Sequence, residues 1–309
     1  MVSFEFRLDE REQGKDSLVK GILLSGGLGT RLAPITRVIS KQLLPVFDKP
    51  MIYYPLSTLI HAGVNEVLII TTSQHFEAFR RLIGNGTNFG ISIHYAIQDE
   101  PRGVAQAIEV AAEFLEHHDF WLILGDNLFH GPDFGHKLSE LSLSGNFGCR
   151  IFAYHVEDPR PYGVIEYDTD NQTVLGITEK PANPKSNWIV PGLYRFDSTA
   201  LSRFDEIEIS GRGEYEITDL IRKYLESGSL GVQKISRGNA WFDLGSPKAL
   251  LAASLFVQTI QGSQGLLIGS PEEAALHKNL LTMEQVNKLT MLDAESFYIQ
   301  TLLKSIASL

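Results

Sequence analysis

The sequence predicts an α/β protein: a three-layer α/β/α sandwich on a mixed, mainly parallel sheet, with a helical appendage at its C-terminal end. Three observations predict it. Short apolar runs alternate with helical patterns from residue 19 to residue 124, closely spaced strands take over after Gly148, and beyond Gly262 the chain is helical in pattern. Alternating strand and helix means parallel neighbours covered by helices on both faces.

Strands are expected at 19–24, 66–71, 91–96 and 120–124, each bounded by Gly, Asn or Asp. Helices are expected between them at 51–62, 76–83 and 104–116. Pro50 suits a first helical position, and Gly63 and Gly84 suit helix ends. The runs 149–155, 163–167, 173–177 and 189–196 read as strands that add antiparallel neighbours to the same sheet and a lobe that covers a ligand. Helices follow at 216–226 and 247–261. The stretch "LDAESFYIQTLLKSIASL" carries apolar residues at helical spacing, so the appendage has a face to pack on the core or on another subunit. The expected division is a core over 18–261, split near 148 into halves of 18–148 and 149–261, and a helical region over 262–309. A charge-rich, loosely held extension covers 1–17.

A chain of 309 residues supports a large buried core, and 43% hydrophobic with 21% charged residues is ordinary for a globular protein. Net charge of −10 argues against nucleic acid as a partner, because phosphate backbones require a broad basic face. Small cationic pockets for a phosphorylated ligand remain compatible with it. The single cysteine, Cys149, excludes an internal disulfide and a multi-cysteine metal cluster, and packing within a strand is its expected role. No apolar run reaches the length of a membrane span, and the first 20 residues lack the apolar core of a signal peptide. The expected location is the cytoplasm.

The segment "KGILLSGGLGTRLAPITRVISKQLLPV" concentrates glycine and cations around the first strand. Gly26, Gly27 and Gly29 let backbone N–H groups approach an anion closely, since no Cβ intervenes. The spacing is neither a Walker A loop nor a dinucleotide fingerprint: Thr30 and Arg31 follow the glycines, and Leu32 stands where a third fingerprint glycine belongs. By themselves the glycines fit a tight structural turn or a phosphate cradle equally well. Arg31 leaves the loop at once, and Lys41 lies in the apolar setting "SKQLLP", where an unpaired ammonium is unfavourable. Two cations beside a ring of amides suit a polyphosphate better than a single phosphate.

The motifs "GGLGTRL", "SKQLLPVFDKPMIYYPLSTL", "LGDN", "YGVIEYD", "EKP", "RGEYEITD" and "AWFDLGSP" occur in this order. Together they resemble the bacterial glucose-1-phosphate thymidylyltransferases of the sugar nucleotidyltransferase superfamily, from about residue 20 to about residue 289. The resemblance implies a Rossmann-like sheet of the nucleotide-diphospho-sugar transferase fold. It implies transfer of dTMP from dTTP to the phosphate of α-D-glucose 1-phosphate, giving dTDP-glucose and pyrophosphate for deoxysugar synthesis such as that of dTDP-rhamnose. It also implies Mg²⁺, a homotetramer built as a dimer of dimers, and a nucleotide-sugar feedback effector.

Such a reaction joins two anions, so positioning and charge neutralisation supply most of the rate. Asp126 ends the apolar run "FWLILGDN", where a parallel strand opens into a ligand crevice, though a turn-capping aspartate suits Gly125-Asp126-Asn127 as well. By resemblance, Asp126 and Asp243 coordinate the metal, Arg31 binds the leaving pyrophosphate, and Lys41 holds triphosphate oxygens. Gly26, Gly27, Gly29, Thr30 and Gln42 belong to the same nucleotide site. Gln98 can donate to and accept from the edge that thymine shares with uracil, with Gly103 letting the base lie on backbone. On the acceptor side, Lys180 and Arg212 match residues that grip the sugar phosphate, and Glu179 matches one that binds sugar hydroxyls. Val104, Leu124, Tyr162, Gly163, Val190 and Tyr194 complete that pocket.

The chain departs from the family pattern at several points. Arg102 and Val104 stand in the family's "DGLAQA", and Pro191 removes a hydroxyl and an N–H beside the sugar pocket. His277, in "PEEAALH", stands where effector-binding relatives carry arginine. Two rival readings remain: the same chemistry with another nucleotide or sugar 1-phosphate, and a catalytically idle regulator that binds nucleotide-sugars.

Overall fold

Apolar strand residues make β1 (Lys20–Leu24) the middle of a parallel block in a computed structural model, which describes residues 19–132, 134–143, 147–168, 170, 173–291 and 293–307. The extension expected over 1–17 lies outside the described residues. From β1 the chain passes through a small hairpin, β2 (Pro45–Val46) and β3 (Lys49–Pro50), to α1 (Tyr53–His61) and β4 (Glu66–Thr71). It continues through α2 (Phe76–Ile83), β5 (Ser92–Ile97), α3 (Gln106–Val110), α4 (Ala112–Leu115) and β6 (Phe120–Leu124). β1 pairs in parallel with both β4 and β6, and β4 pairs in parallel with β5.

The second half begins with β7 (Asn127–His130), α5 (Phe134–Leu143), β8 (Cys149–His155), β9 (Gly163–Tyr167) and β10 (Val174–Glu179). Next come β11 (Trp188–Val190), β12 (Leu193–Phe196), α6 (Ala200–Phe204), α7 (Ile217–Glu226), β13 (Leu230–Lys234) and β14 (Ala240–Asp243). The chain closes with α8 (Pro247–Gln264), α9 (Pro271–His277), α10 (Met283–Thr290) and α11 (Phe297–Ile306). Ten strands form the central sheet in the order β10-β9-β11-β8-β12-β6-β1-β4-β5, with β13 parallel to β8; the strands added by the second half otherwise run antiparallel to their neighbours.

Helices cover both faces. One core joins the sheet to α1, α2, α9 and α11, and a second joins it to α3, α6 and α7. Leu302 and Ile306 are buried in the first, so α11 packs on its own core. A third core seats the β2–β3 hairpin under α8. Among the described residues no helix is long and apolar enough to cross a membrane.

Four expectations need correction. Pro50 does not open α1: it pairs with Pro45, because the turn at Phe47 and Asp48 folds the chain back and buries Lys49 against Asp48. The run expected over 104–116 becomes two helices that start later. Gly103, at φ +106°, lies against Tyr215, whose carbonyl accepts the Ala105 N–H, and the backbone at Ala111, φ −89° and ψ 2°, leaves helical values between the two. The run 189–196 is two strands, since Pro191 has no N–H for the ladder and the Gly192 N–H turns to the Asn127 side chain. The strand expected at 173–177 runs from Val174 to Glu179, which carries Glu179 to the sheet's end.

Candidate active site

The break at Pro191 and Gly192 makes the site. β11 pairs with β8 and β9, whereas β12 pairs with β8 and β6, so the sheet parts between β6 and β9. A cavity of about 470 Å³ opens there. Leu124, Asp126, Tyr162, Gly163, Glu179, Lys180, Val190, Tyr194, Val104, Arg31 and Asp243 all line it, as do Asn127, Thr218 and Trp241. Ligands of open α/β sheets bind outside the carboxyl ends of strands where topology changes, and this position is of that kind.

At one wall stands a charged cluster. Asp126 follows β6, and Asp243 ends β14, which pairs with β7 so that Asp243 lies opposite Asn127. The Leu244 N–H also donates to the Asp126 carbonyl at 2.9 Å. Lys41 Nζ donates to Asp126 Oδ2 at 2.5 Å, and Arg31 Nη2 lies 3.6 Å from Asp243 Oδ2. Burial alone would raise the Asp126 carboxyl, but the Lys41 charge and hydrogen bond hold it below the usual carboxylate range. The Asp243 carboxyl is pushed up, first by burial and then by the charge of Asp126, against the pull of Arg31. Two like-charged oxygen groups beside each other fit a hard divalent cation. Among the described residues no group of three or more His, Cys, Asp and Glu could hold a metal, so the remaining positions on such a cation would fall to ligand phosphates and water.

The glycine loop runs beside this cluster. A Cβ built on Gly27 would lie 3.5 Å from Lys41 Nζ, and one on Gly29, at φ +60°, would strike Thr36 at 2.9 Å. Thr30 begins a short 3₁₀ turn that leaves the Arg31 side chain 60% exposed. Gln42 is buried under Gly125 and accepts from Ser40 Oγ at 2.6 Å. None of these loop residues except Arg31 lines the cavity itself.

On the opposite wall, Glu179 ends β10 directly across from Gly163. Burial raises its carboxyl, with Lys180 opposing. Lys180 adopts a left-handed backbone at φ +41° and lies 3.5 Å from Glu179 Oε1. Arg212 is not among the residues that line the cavity; it pairs with Glu214 at 2.7 Å, Glu216 at 3.5 Å and the cavity-lining Glu179 at 3.8 Å. In the glutamate-rich loop of 210–216, nearby carboxylates satisfy its guanidinium.

Gln98 lies behind the loop, 5% exposed, and its amide donates to Gln106 Oε1 at 2.7 Å. Gln106 was not among the residues singled out from the sequence, nor were Asn127 and Trp241. Asn127 Oδ1 accepts from the Gly192 N–H at 3.1 Å and Trp241 Nε1 at 2.6 Å, while its amide donates to Asp126 Oδ1 at 3.2 Å. Asn127 and Trp241 stand inside the quoted motifs "LGDN" and "AWFDLGSP", and Gln106 stands in the stretch that matches the family's "DGLAQA". For Asn127 and Trp241 the available signal was a polar group next to Asp126 or two residues before Asp243.

The nucleotidyl transferase family profile matches residues 20–260. The glucose-1-phosphate thymidylyltransferase of Neisseria meningitidis serogroup A / serotype 4A is 47% identical over 286 residues, spanning 93% of this chain and 99% of its own. That of Mycolicibacterium smegmatis is 48% identical over 268 residues, 87% and 92% of the two chains. Among solved structures, a candidate glucose-1-phosphate thymidylyltransferase of Bacillus anthracis, in complex with a sucrose, is 36% identical with a TM-score of 0.71, covering 77% of this chain and 94% of that one. A UDP-glucose pyrophosphorylase complexed with UDP-glucose, 23% identical, shares the fold with a TM-score of 0.70 over 79% and 99% of the chains. With the profile spanning the whole sheet and relatives near half identical along almost their full length, the chain belongs to the nucleotidyl transferase family, among the glucose-1-phosphate thymidylyltransferases.

Proposed function

We propose that this chain transfers dTMP from dTTP to the phosphate of α-D-glucose 1-phosphate, releasing pyrophosphate. The observation that carries the reading is one cavity with Asp126, Asp243 and Arg31 at one end, Lys41 paired with Asp126 there, and Glu179 with Lys180 at the other. A nucleotide's phosphates and a sugar phosphate need such a division. In the step itself, a phosphate oxygen of the sugar attacks the α-phosphorus, and the bond to the β-phosphate oxygen breaks as pyrophosphate leaves. Amides of residues 26–30 with Arg31 hold the leaving group and draw off its developing charge, while Lys41 keeps triphosphate oxygens in line. Lys180 orients the acceptor phosphate, with Arg212 supporting Glu179 from outside the cavity. Glu179 accepts from sugar hydroxyls, and Gly163, Val190, Tyr194, Leu124 and Tyr162 shape the space around the ring. Asp126 and Asp243 would hold Mg²⁺, whose chemistry here is neutralisation of phosphate charge.

Gln98 faces the base and Gly103 gives it a backbone floor. One methyl distinguishes thymine from uracil, about a 10 to 200-fold difference in a hydrophobic pocket, so UTP is expected as a slower donor. The test is pyrophosphate release with Mg²⁺, crossing dTTP, UTP, CTP, GTP and ATP against glucose 1-phosphate and other sugar 1-phosphates. Release with dTTP and glucose 1-phosphate as the best pair is the expected result. Activity confined to another pair would move the specificity, and none at all would leave a nucleotide-sugar-binding regulator.

The same reading carries a homotetramer, a cytoplasmic setting, deoxysugar synthesis as the pathway served, and a nucleotide-sugar effector. Exposed Leu251 and Leu255 on α8 support an assembly. A second cavity of about 430 Å³, lined by Glu273, His277, Lys278 and His61, supports an effector. A titration with dTDP-rhamnose that reveals no second saturable site overturns the effector.

A further inference from the structure

We propose that Gln106 is a positioning residue that fixes which way the Gln98 amide faces, and thereby makes the site select bases that carry a ring N–H. The inference rests on the reading above that Gln98 meets the base.

The argument starts from a group whose polarity cannot be reversed. The Arg102 backbone N–H donates to Gln106 Oε1 at 2.9 Å. That N–H is held in place because the Tyr215 N–H donates to the Arg102 carbonyl at 2.6 Å and the Ala105 N–H returns to the Tyr215 carbonyl at 3.2 Å. Gly103 meets the Tyr215 backbone so closely that a Cβ there would lie 2.3 Å from its carbonyl oxygen. A backbone donor so braced requires an acceptor, so the Gln106 carbonyl oxygen must face it. The same oxygen lies 2.7 Å from Gln98 Nε2. Turning the Gln98 amide over would set two carbonyl oxygens against each other at that distance.

Gln98 is buried, and its backbone N–H is anchored to the Thr71 carbonyl at 2.8 Å. With one amide hydrogen committed to Gln106, it offers the cleft its Oε1 and its second N–H. Oε1 lies beside the glycine loop, 3.4 Å from where a Cβ of Gly26 would stand. An acceptor next to a donor complements the N3–H and O4 of thymine or uracil. Cytosine presents the reverse, an N3 acceptor beside an amino donor, and meets like against like. The choice between these pyrimidines is thus made two side chains away from the base, by the Arg102 main chain acting through Gln106.

The experiment measures kcat/KM for dTTP, UTP and CTP with glucose 1-phosphate in the wild type, Gln98→Leu, Gln106→Leu and Gln106→Glu, with thermal melting to confirm folding. Gln106→Leu releases the amide and is expected to lower the preference for dTTP over CTP by about tenfold, the scale of one net hydrogen bond, leaving the dTTP to UTP ratio unmoved. Gln106→Glu keeps an acceptor for both donors and is expected to keep the preference. If Gln98→Leu loses the preference while a folded Gln106→Leu slows all three nucleotides equally, the proposal is overturned and the base reading stands. If Gln98→Leu keeps the preference, the base reading fails and takes the proposal with it. Should Gln106→Leu not fold, Gln106→Glu decides: a lost preference there, with both acceptors in place, overturns the proposal, and a retained one supports it.

Discussion

At one end of the cavity Asp126 and Asp243 are held by a strand ladder, and at the other Glu179 and Lys180 sit where β10 gives way to a left-handed residue. The first end commits each carboxylate to a cation, Lys41 or Arg31, and the second crowds Glu179, Glu214 and Glu216 around Arg212. Burial acts on both ends and raises Asp243 as it raises Glu179, yet Asp126 is held down. A hydrogen bond of 2.5 Å from a largely buried ammonium overcomes desolvation at Asp126, and ion pairs of 3.5 Å and 3.8 Å with partly exposed cations do not overcome it at Glu179. Close contact with little water decides which carboxyl is held below its usual range and which is raised above it.

Four outcomes would sharpen or break this contrast. Asp126→Asn and Asp243→Asn are each expected to lower turnover by about 10² to 10³-fold, measured at limiting Mg²⁺, since preorganised charge at the reacting phosphates dominates such chemistry. Near-normal turnover in either variant would remove the two-carboxylate assignment. Arg31→Ala should lower kcat on the order of 10²-fold while the KM for glucose 1-phosphate stays within about twofold. A change mainly in that KM would place Arg31 on the acceptor side. Glu179→Gln should act in the opposite sense, raising the KM for glucose 1-phosphate about tenfold with a smaller change in kcat.

Melting of the ligand-free protein gives the smallest signal and the cleanest sign. Asp126→Asn is expected to destabilise by about 1–3 kcal/mol, because Lys41 loses its charged partner. Glu179→Gln should melt slightly higher than wild type at pH 7. The Glu179 carboxyl is raised in the folded state, so folded protein binds its proton more tightly. Wild-type stability therefore falls as pH rises from the ordinary carboxylate pKa, about 4.3, through the raised value. The advantage of the variant is full above that window and absent below it. Equal melting of variant and wild type across the whole range would mean that Glu179 is solvated as an ordinary surface acid.

Much of this was legible in residues that act locally. Asp126 is fixed by the strand before it, Gly29 by a backbone angle few other residues adopt, and the parallel strands by their own apolar runs. What escaped depends on pairings distant in sequence. β7 and β14 are four residues each and bring Asn127 to Trp241 across 114 residues, with no local pattern to announce it. Pro50 looked like a helix start because the hairpin that captures it is closed by burial of Lys49 and Asp48 under α8, far along the chain. Arg212 carried the right charge, but three glutamates in space decide where it points. Pro191 was noted as a missing N–H, while its larger effect, parting the sheet, follows from which strands stand on either side.

The β7–β14 ladder also sets an order in time. Chains are made from the N-terminus, so the glycine loop, Lys41 and Asp126 leave the ribosome well before Asp243 does. A chain stopped ahead of β14 has the central parallel strands and one carboxylate, but lacks the strand that brings the second to its side. The pair of carboxylates is thus completed late in biosynthesis, and a chain stopped ahead of β14 carries only Asp126 of the two.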